Sequence, residues 1–233
     1  MNDRLLGILG GMGSLATVEF LRKLVMLTPA QVDQDHVRYI LYNDPSIPDR
    51  NEFFKGIGNS PVPAVIEGLK FLERSGVEAI GVPCNTVHIW FDQFEESVKC
   101  PIFNIVNETV NDVLKRQLRK VLLLGTETLI KSSIYQRELE SVGVSCVVPQ
   151  DMNYMMKAIQ AVKGNRLKEA RGAIIEPLRK QISSMDVDGV IIACTELPII
   201  LNEEDFPITV IDSDVSLARS LVSSYFRSDT MRI

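Results

Sequence analysis

Gly76-Val77-Glu78-Ala79-Ile80-Gly81-Val82-Pro83-Cys84-Asn85-Thr86 and Val187-Asp188-Gly189-Val190-Ile191-Ile192-Ala193-Cys194-Thr195-Glu196 read as two versions of one design, with their cysteines 110 residues apart. Each segment is a short apolar, β-branched run closed by a thiol and then by polar side chains. Runs of that kind are strands buried on both faces of a parallel sheet, and such sheets hold ligands at the carboxyl ends of their strands. A chain that builds this arrangement twice is able to bring two thiols together from opposite sides.

Working outward, strands and helices alternate. Arg4 to Leu9, Val37 to Tyr42, Ala79 to Pro83 and Ile102 to Val106 read as strands, with helices around Ala16 to Leu27, Pro63 to Ser75 and Phe91 to Lys99. After 107–117 the pattern restarts. Lys120 to Gly125, Val144 to Pro149, Gly189 to Cys194 and Ile208 to Ile211 read as strands; Ser132 to Val142, Arg166 to Ser184 (kinked near Pro177) and Val215 to Phe226 read as helices. Leu6 to Gly10 matches Val121 to Gly125, and Pro101-Ile102-Phe103 matches Pro207-Ile208-Thr209. The expected architecture is α/β, with two similar domains, each a parallel sheet flanked by helices. The domains are pseudo-twofold related, with the active site in the cleft between them. The expected division is 1–106 plus 212–233, the closing helix returning, and 107–211.

Composition narrows the function. The 233 residues are long enough for one large or two small cores, and 45% hydrophobic content excludes disordered and fibrous classes. Thirty acidic residues against 25 basic ones give a net charge of -5 with no basic block, which argues against nucleic acid. The opening apolar run is too short for a signal peptide and no run reaches membrane-spanning length, so a cytoplasmic protein is expected, with no membrane partner. Four cysteines without CxxC spacing read as free thiols. Cys100 and Cys146 fit as small buried hydrophobes, whereas Cys84 and Cys194 stand at strand ends beside polar groups. Two separated histidines give a metal site little support.

Gly10-Gly11-Met12-Gly13-Ser14 lies between a strand and a helix, where backbone amides are able to hold an anion or the glycines merely make a tight turn. It fits neither the dinucleotide fingerprint nor a phosphate loop. Thr17 faces either ligand or solvent. His88, four residues after Cys84, either lowers the thiol pKa or packs at a helix start. Asp212 is expected to cap the closing helix.

Four stretches, Gly10 to Thr17, Asn43 to Arg50, Pro83 to His88 and Ala193 to Pro198, together resemble the cofactor-independent aspartate/glutamate racemase family, nearest its aspartate racemases, across almost the whole chain. The resemblance implies one catalytic cysteine from each domain, no pyridoxal phosphate or other cofactor, an amino-acid substrate and a homodimer. It also departs from that pattern. Ser14 stands where the family often has proline, Val87 where it has alanine, and 213–217 lacks a histidine common there. The Asp-Ser-Gly opening of glutamate racemases is absent.

The chemistry expected of the pair is racemisation. Removing an α-proton from one face and returning one to the other takes two acid/base groups flanking the carbon, and a thiol with its thiolate serves both roles. Two strand-end thiols are also able simply to pack, or to form a redox pair. Asn85, Thr86 and Thr195 are the expected holders of the α-carboxylate. Arg50, in the polar loop after a strand, and Lys163, before Gly164, match family positions for substrate carboxyl groups. Met12 joins the substrate-binding set, and Asn43 either binds substrate with it or orients the loop. Glu196 either shifts the Cys194 pKa, binds the ammonium group or caps a turn. The expected activity is interconversion of L- and D-aspartate. The alternatives are a broad-specificity aspartate/glutamate racemase, a Cys-dependent isomerase of another diacid, or an inactive small-dicarboxylate binder.

Overall fold

A computed structural model describes residues 4–227. Its first half runs β1 (Leu6–Gly10), α1 (Ser14–Leu27), β2 (Tyr39–Asn43), α2 (Arg50–Phe54), α3 (Val62–Arg74), β3 (Ala79–Gly81), a 3-10 turn (Thr86–Trp90), α4 (Phe91–Glu95), β4 (Ile102–Phe103) and α5 (Ile105–Lys115). The second half runs β5 (Lys120–Gly125), α6 (Glu127–Ser132), α7 (Ile134–Ser141), β6 (Ser145–Val147), α8 (Asn153–Lys163), α9 (Leu167–Ser183), β7 (Gly189–Ala193), β8 (Thr209–Asp212) and α10 (Ser213–Phe226).

The strands form two parallel four-stranded sheets, ordered β2-β1-β3-β4 and β6-β5-β7-β8. The second sheet repeats the first, strand for strand, so the likeness between the cysteine segments extends to their positions as the third strand of each sheet. Alternation along the strands sorts the core. Leu6 and Ile8 of β1 and Val121 and Leu123 of β5 join Phe20, Val110, Leu217 and Leu221 in a central layer between the sheets. Leu9 faces outward with Leu69 of α3, and Leu122 and Leu124 face outward with Ile159 of α8 and Ile174 of α9. Among the described residues no helix is long and apolar enough to cross a membrane.

Several boundaries differ from the sequence reading. The strand expected over Ile102 to Val106 stops at Phe103, because Asn104 turns the chain: its side chain accepts from the N–H groups of Val106 and Asn107 and starts α5. The stretch 107–117, read as a break, is largely this helix, which buries Ile105, Val106, Thr109, Val110 and Val113 along one face. Helix α8 was likewise unassigned. The expected helix over Phe91 to Lys99 is only the short α4, ending at Glu95 and preceded by the 3-10 turn, and that over Ser132 to Val142 starts only after Ser133, whose left-handed φ of 58° separates α6 from α7. Pro177 lies inside α9. The division at 1–106, 107–211 and 212–233 extends at both ends beyond the described residues.

Candidate functional site

The glycine turn shows how the local sequence shapes the cleft. Gly11 has φ +101°, and a Cβ there would lie 2.3 Å from the backbone of Asp44. Thr17 is buried; its hydroxyl accepts from the Gly11 N–H (3.0 Å) and donates to the Gly13 carbonyl (2.9 Å). It therefore faces neither ligand nor solvent, because the turn uses its hydroxyl. The N-terminus of α1 opens with Gly13, Ser14 and Leu15 onto a cavity of about 450 Å³, whose far wall is Val162, Lys163 and Glu196.

A small inner chamber of about 20 Å³ shares Arg50, Lys163 and Glu196 with that cavity. Cys84, Asn85 and Thr86 line it from the first half, and Cys194 and Thr195 from the second, with Met12 closing another wall. These side chains follow the carboxyl ends of strands in both sheets, where open α/β sheets bind ligands. Cys194 comes directly after β7, but β3 ends at Gly81, three residues before Cys84. Pro83 offers no N–H to extend the ladder, and the Cys84 N–H turns back to the Val82 carbonyl (2.8 Å).

Each polar residue around the thiols is held by the protein. The Asn85 Nδ2 donates to Ser213 Oγ (2.9 Å) and its Oδ1 accepts from the Tyr135 hydroxyl (2.6 Å). Thr86 and Thr126 share a hydrogen bond of 3.0 Å between their hydroxyls. The Glu196 Oε2 accepts from Cys194 Sγ (3.2 Å) and from the Thr195 hydroxyl (3.4 Å), while its Oε1 is buried without a hydrogen-bond partner.

Arg50 is not an exposed loop cation. It is the first residue of α2, 6% exposed, and donates to the carbonyls of Met12 (3.2 Å), Pro48 (3.1 Å) and Ile47 (3.4 Å). The reason is local: Asp49 caps α2 through the Asn51 and Glu52 N–H groups, which turns the next side chain inward beneath the glycine turn. Lys163, at the end of α8, lies 3.7 Å from Asp49 across the cleft mouth. Asn43 lies outside the chamber. It is exposed at the end of β2, its Nδ2 donating to Ser14 Oγ (3.3 Å).

Charge separates the two thiols. Burial pushes both up, and at both Glu196 adds to it and Lys163 opposes it; Arg50 is the strongest opposing charge at Cys84, whereas at Cys194 burial, with the Glu196 carboxylate next, carries the thiol well above its ordinary value. Cys84 is thus the easier to ionise. His88 does not act on the Cys84 sulfur. Its Nδ1 faces the Cys84 carbonyl at 2.8 Å, its ring stacks on Phe91, and burial pushes its pKa down to about 4 against the favourable Cys84 and Phe103 carbonyls.

Asn51 and Thr126 line the inner chamber without having been singled out from the sequence. Thr126 follows Gly125 as Gly11 follows Gly10, so the internal repeat carried a signal for it. Asn51 had none.

Known proteins share this sequence pattern and fold. The family model described as Asp/Glu/Hydantoin racemase matches residues 9–221. The broad specificity amino-acid racemase RacX of Bacillus subtilis (strain 168) is 32% identical over 234 residues, covering 95% of this chain and 98% of that protein. The structure of Picrophilus torridus aspartate racemase superposes with a TM-score of 0.90 at 43% identity, covering 96% of this chain and 94% of that one. An aspartate racemase homologue from Pyrococcus horikoshii OT3 gives a TM-score of 0.77 at 29% identity, covering 96% and 100%.

Proposed function

This chain belongs to the Asp/Glu/hydantoin racemase family, and on that footing we propose that it interconverts L- and D-aspartate by proton transfer between Cys84 and Cys194. The observation that carries the reading is the single chamber lined by both thiols, one from each half. Cys84, where Arg50 opposes the effect of burial, is the thiol that gives up its proton more readily, and Cys194, donating to Glu196, is the one that keeps it. Cys84 takes the α-proton from one face while Cys194 delivers its own to the other, and the sulfurs exchange roles for the reverse direction. Asn85, Thr86, Thr195 and the backbone N–H groups after each cysteine hold the α-carboxylate. Arg50 and Lys163 supply positive charge for the second carboxylate, and Met12 limits the chamber. Asn43 acts on the cleft through Ser14 rather than on substrate directly. Glu196 restrains the Cys194 proton and receives the substrate ammonium.

The same reading takes the protein as a cytoplasmic homodimer that works without pyridoxal phosphate, its domains being 1–106 with 212–233, and 107–211. Helix α10 packs on α1 and β3 of the first half and as heavily on α5, between the two sheets. A second reading, broad specificity, is favoured by the outer cavity of about 450 Å³, where Leu15, Ile47 and Val162 offer apolar wall to larger side chains.

Incubation with single enantiomers of aspartate, glutamate and larger amino acids in deuterium oxide, without cofactor, tests both readings. Product should carry solvent deuterium early while recovered substrate stays protiated, and Cys84→Ala and Cys194→Ala should each abolish turnover with native circular dichroism. Binding without turnover would leave an inactive dicarboxylate binder. Equal early label in both pools would sink the two-thiol mechanism.

A further inference from the structure

Asn85 directly follows Cys84, and what it presents to a ligand depends on which way its amide is turned. The amide has a nitrogen that donates and an oxygen that accepts, almost equal in shape, so only its neighbours decide. Two neighbours do so here. The Ser213 hydroxyl gives its hydrogen to the Ile192 carbonyl (2.9 Å), which leaves Ser213 Oγ as an acceptor for the Asn85 nitrogen (2.9 Å). On the other side the Tyr135 hydroxyl donates to the Asn85 oxygen at 2.6 Å. Thr109, whose own hydrogen goes to the Ile105 carbonyl (2.6 Å), is a second acceptor for the phenol at 3.2 Å, longer than the bond to Asn85.

Tyr135 is completely buried, and burial pushes its phenol up, so it stays a neutral donor. It comes from α7 in the second half, whereas Asn85 belongs to the first; the bond crosses between the halves beside the chamber. With the amide so turned, one Nδ2 hydrogen is left over for a ligand.

We infer that Tyr135 is a positioning residue: its hydroxyl holds the Asn85 amide in the orientation that offers an N–H, not a carbonyl, to the carboxylate of a bound amino acid. This rests on the proposed racemase function for the identity of the ligand, but not for the orientation itself. Without the phenol oxygen only Ser213 holds the amide, the preference between its two orientations weakens, and the N–H is offered to the carboxylate for less of the time. That carboxylate is charged in the bound substrate and gains charge as the α-proton leaves, so the loss falls on kcat/KM, through binding and the chemical step together.

Two measurements test this on the full chain. In the first, kcat and KM for aspartate are compared in wild type, Tyr135→Phe, Asn85→Ala and the double variant. Tyr135→Phe should lower kcat/KM about tenfold, the size of one hydrogen bond to a charged group, and should add nothing in the Asn85→Ala background. An unchanged kcat/KM, or the same decrease imposed on Asn85→Ala, would overturn the inference in favour of a purely structural role. The second uses no ligand: the Asn85 side-chain amide, assigned in a nitrogen-15 spectrum through its loss in Asn85→Ala, should exchange with solvent at least about tenfold faster in Tyr135→Phe. Equal exchange would overturn the orientation claim even in a protein that proved inactive. If Tyr135→Phe does not fold, Ser213→Ala removes the other restraint on the amide and is read the same way.

Discussion

His88 offers a direct measure of how the loop behind Cys84 is held. It is 5% exposed and its pKa is pushed down to about 4, whereas an unfolded histidine titrates near about 6.5. Between those values the unfolded chain binds the proton more readily than the folded one. Stability from this group is therefore fully present above about pH 6.5 and drains as the pH falls through 4. The linkage is worth about 2 kcal/mol by pH 5 and about 3 kcal/mol by pH 4. Urea unfolding followed by circular dichroism at pH 8, 6, 5 and 4 measures the loss in wild type and in His88→Asn. Asparagine has an N–H able to reach the Cys84 carbonyl but no titration in this range. The variant is expected to be weaker at pH 8, since it lacks the ring stacked on Phe91, yet to lose about 2 kcal/mol less between pH 8 and 5. Carboxylates common to both proteins cancel in that difference. Parallel curves for the two proteins would show that His88 charges without penalty and would refute its assignment as a buried neutral ring.

Arg50→Ala should lower stability by about 2–4 kcal/mol as well as weaken substrate binding, because three carbonyls lose a donor, and Arg50→Lys should recover part of it; an unchanged Tm would contradict the buried role. Glu196→Gln removes the carboxylate next to Cys194, so alkylation of Cys194, followed by peptide mass mapping from pH 7 to 10, should begin at lower pH than in wild type. A profile that does not move would mean burial alone sets that thiol.

The sequence by itself determined the parts that depend on local pattern. Val190 to Ala193 and Val121 to Leu124 are continuous apolar runs too short for helices, and their repetition in the same order implied two parallel sheets with a thiol behind the third strand of each. Asp212 could be read as a helix cap because capping needs only its neighbour; its side chain accepts from the Asp214 N–H. Helices α5 and α8 were harder to read: α5 begins one residue after a strand-like pair, and Asn153 begins α8 without a side-chain cap. Tertiary structure alone decided what each polar side chain does. Arg50 resembles a solvated loop residue until α2 turns it inward, and Asn85 and Thr86 resemble free ligand groups until Tyr135 and Thr126, 50 and 40 residues away, are seen to hold them. A hydrogen bond of this kind depends on distance and angle between remote segments, and residue type records the capacity to form it, not the partner that the fold supplies.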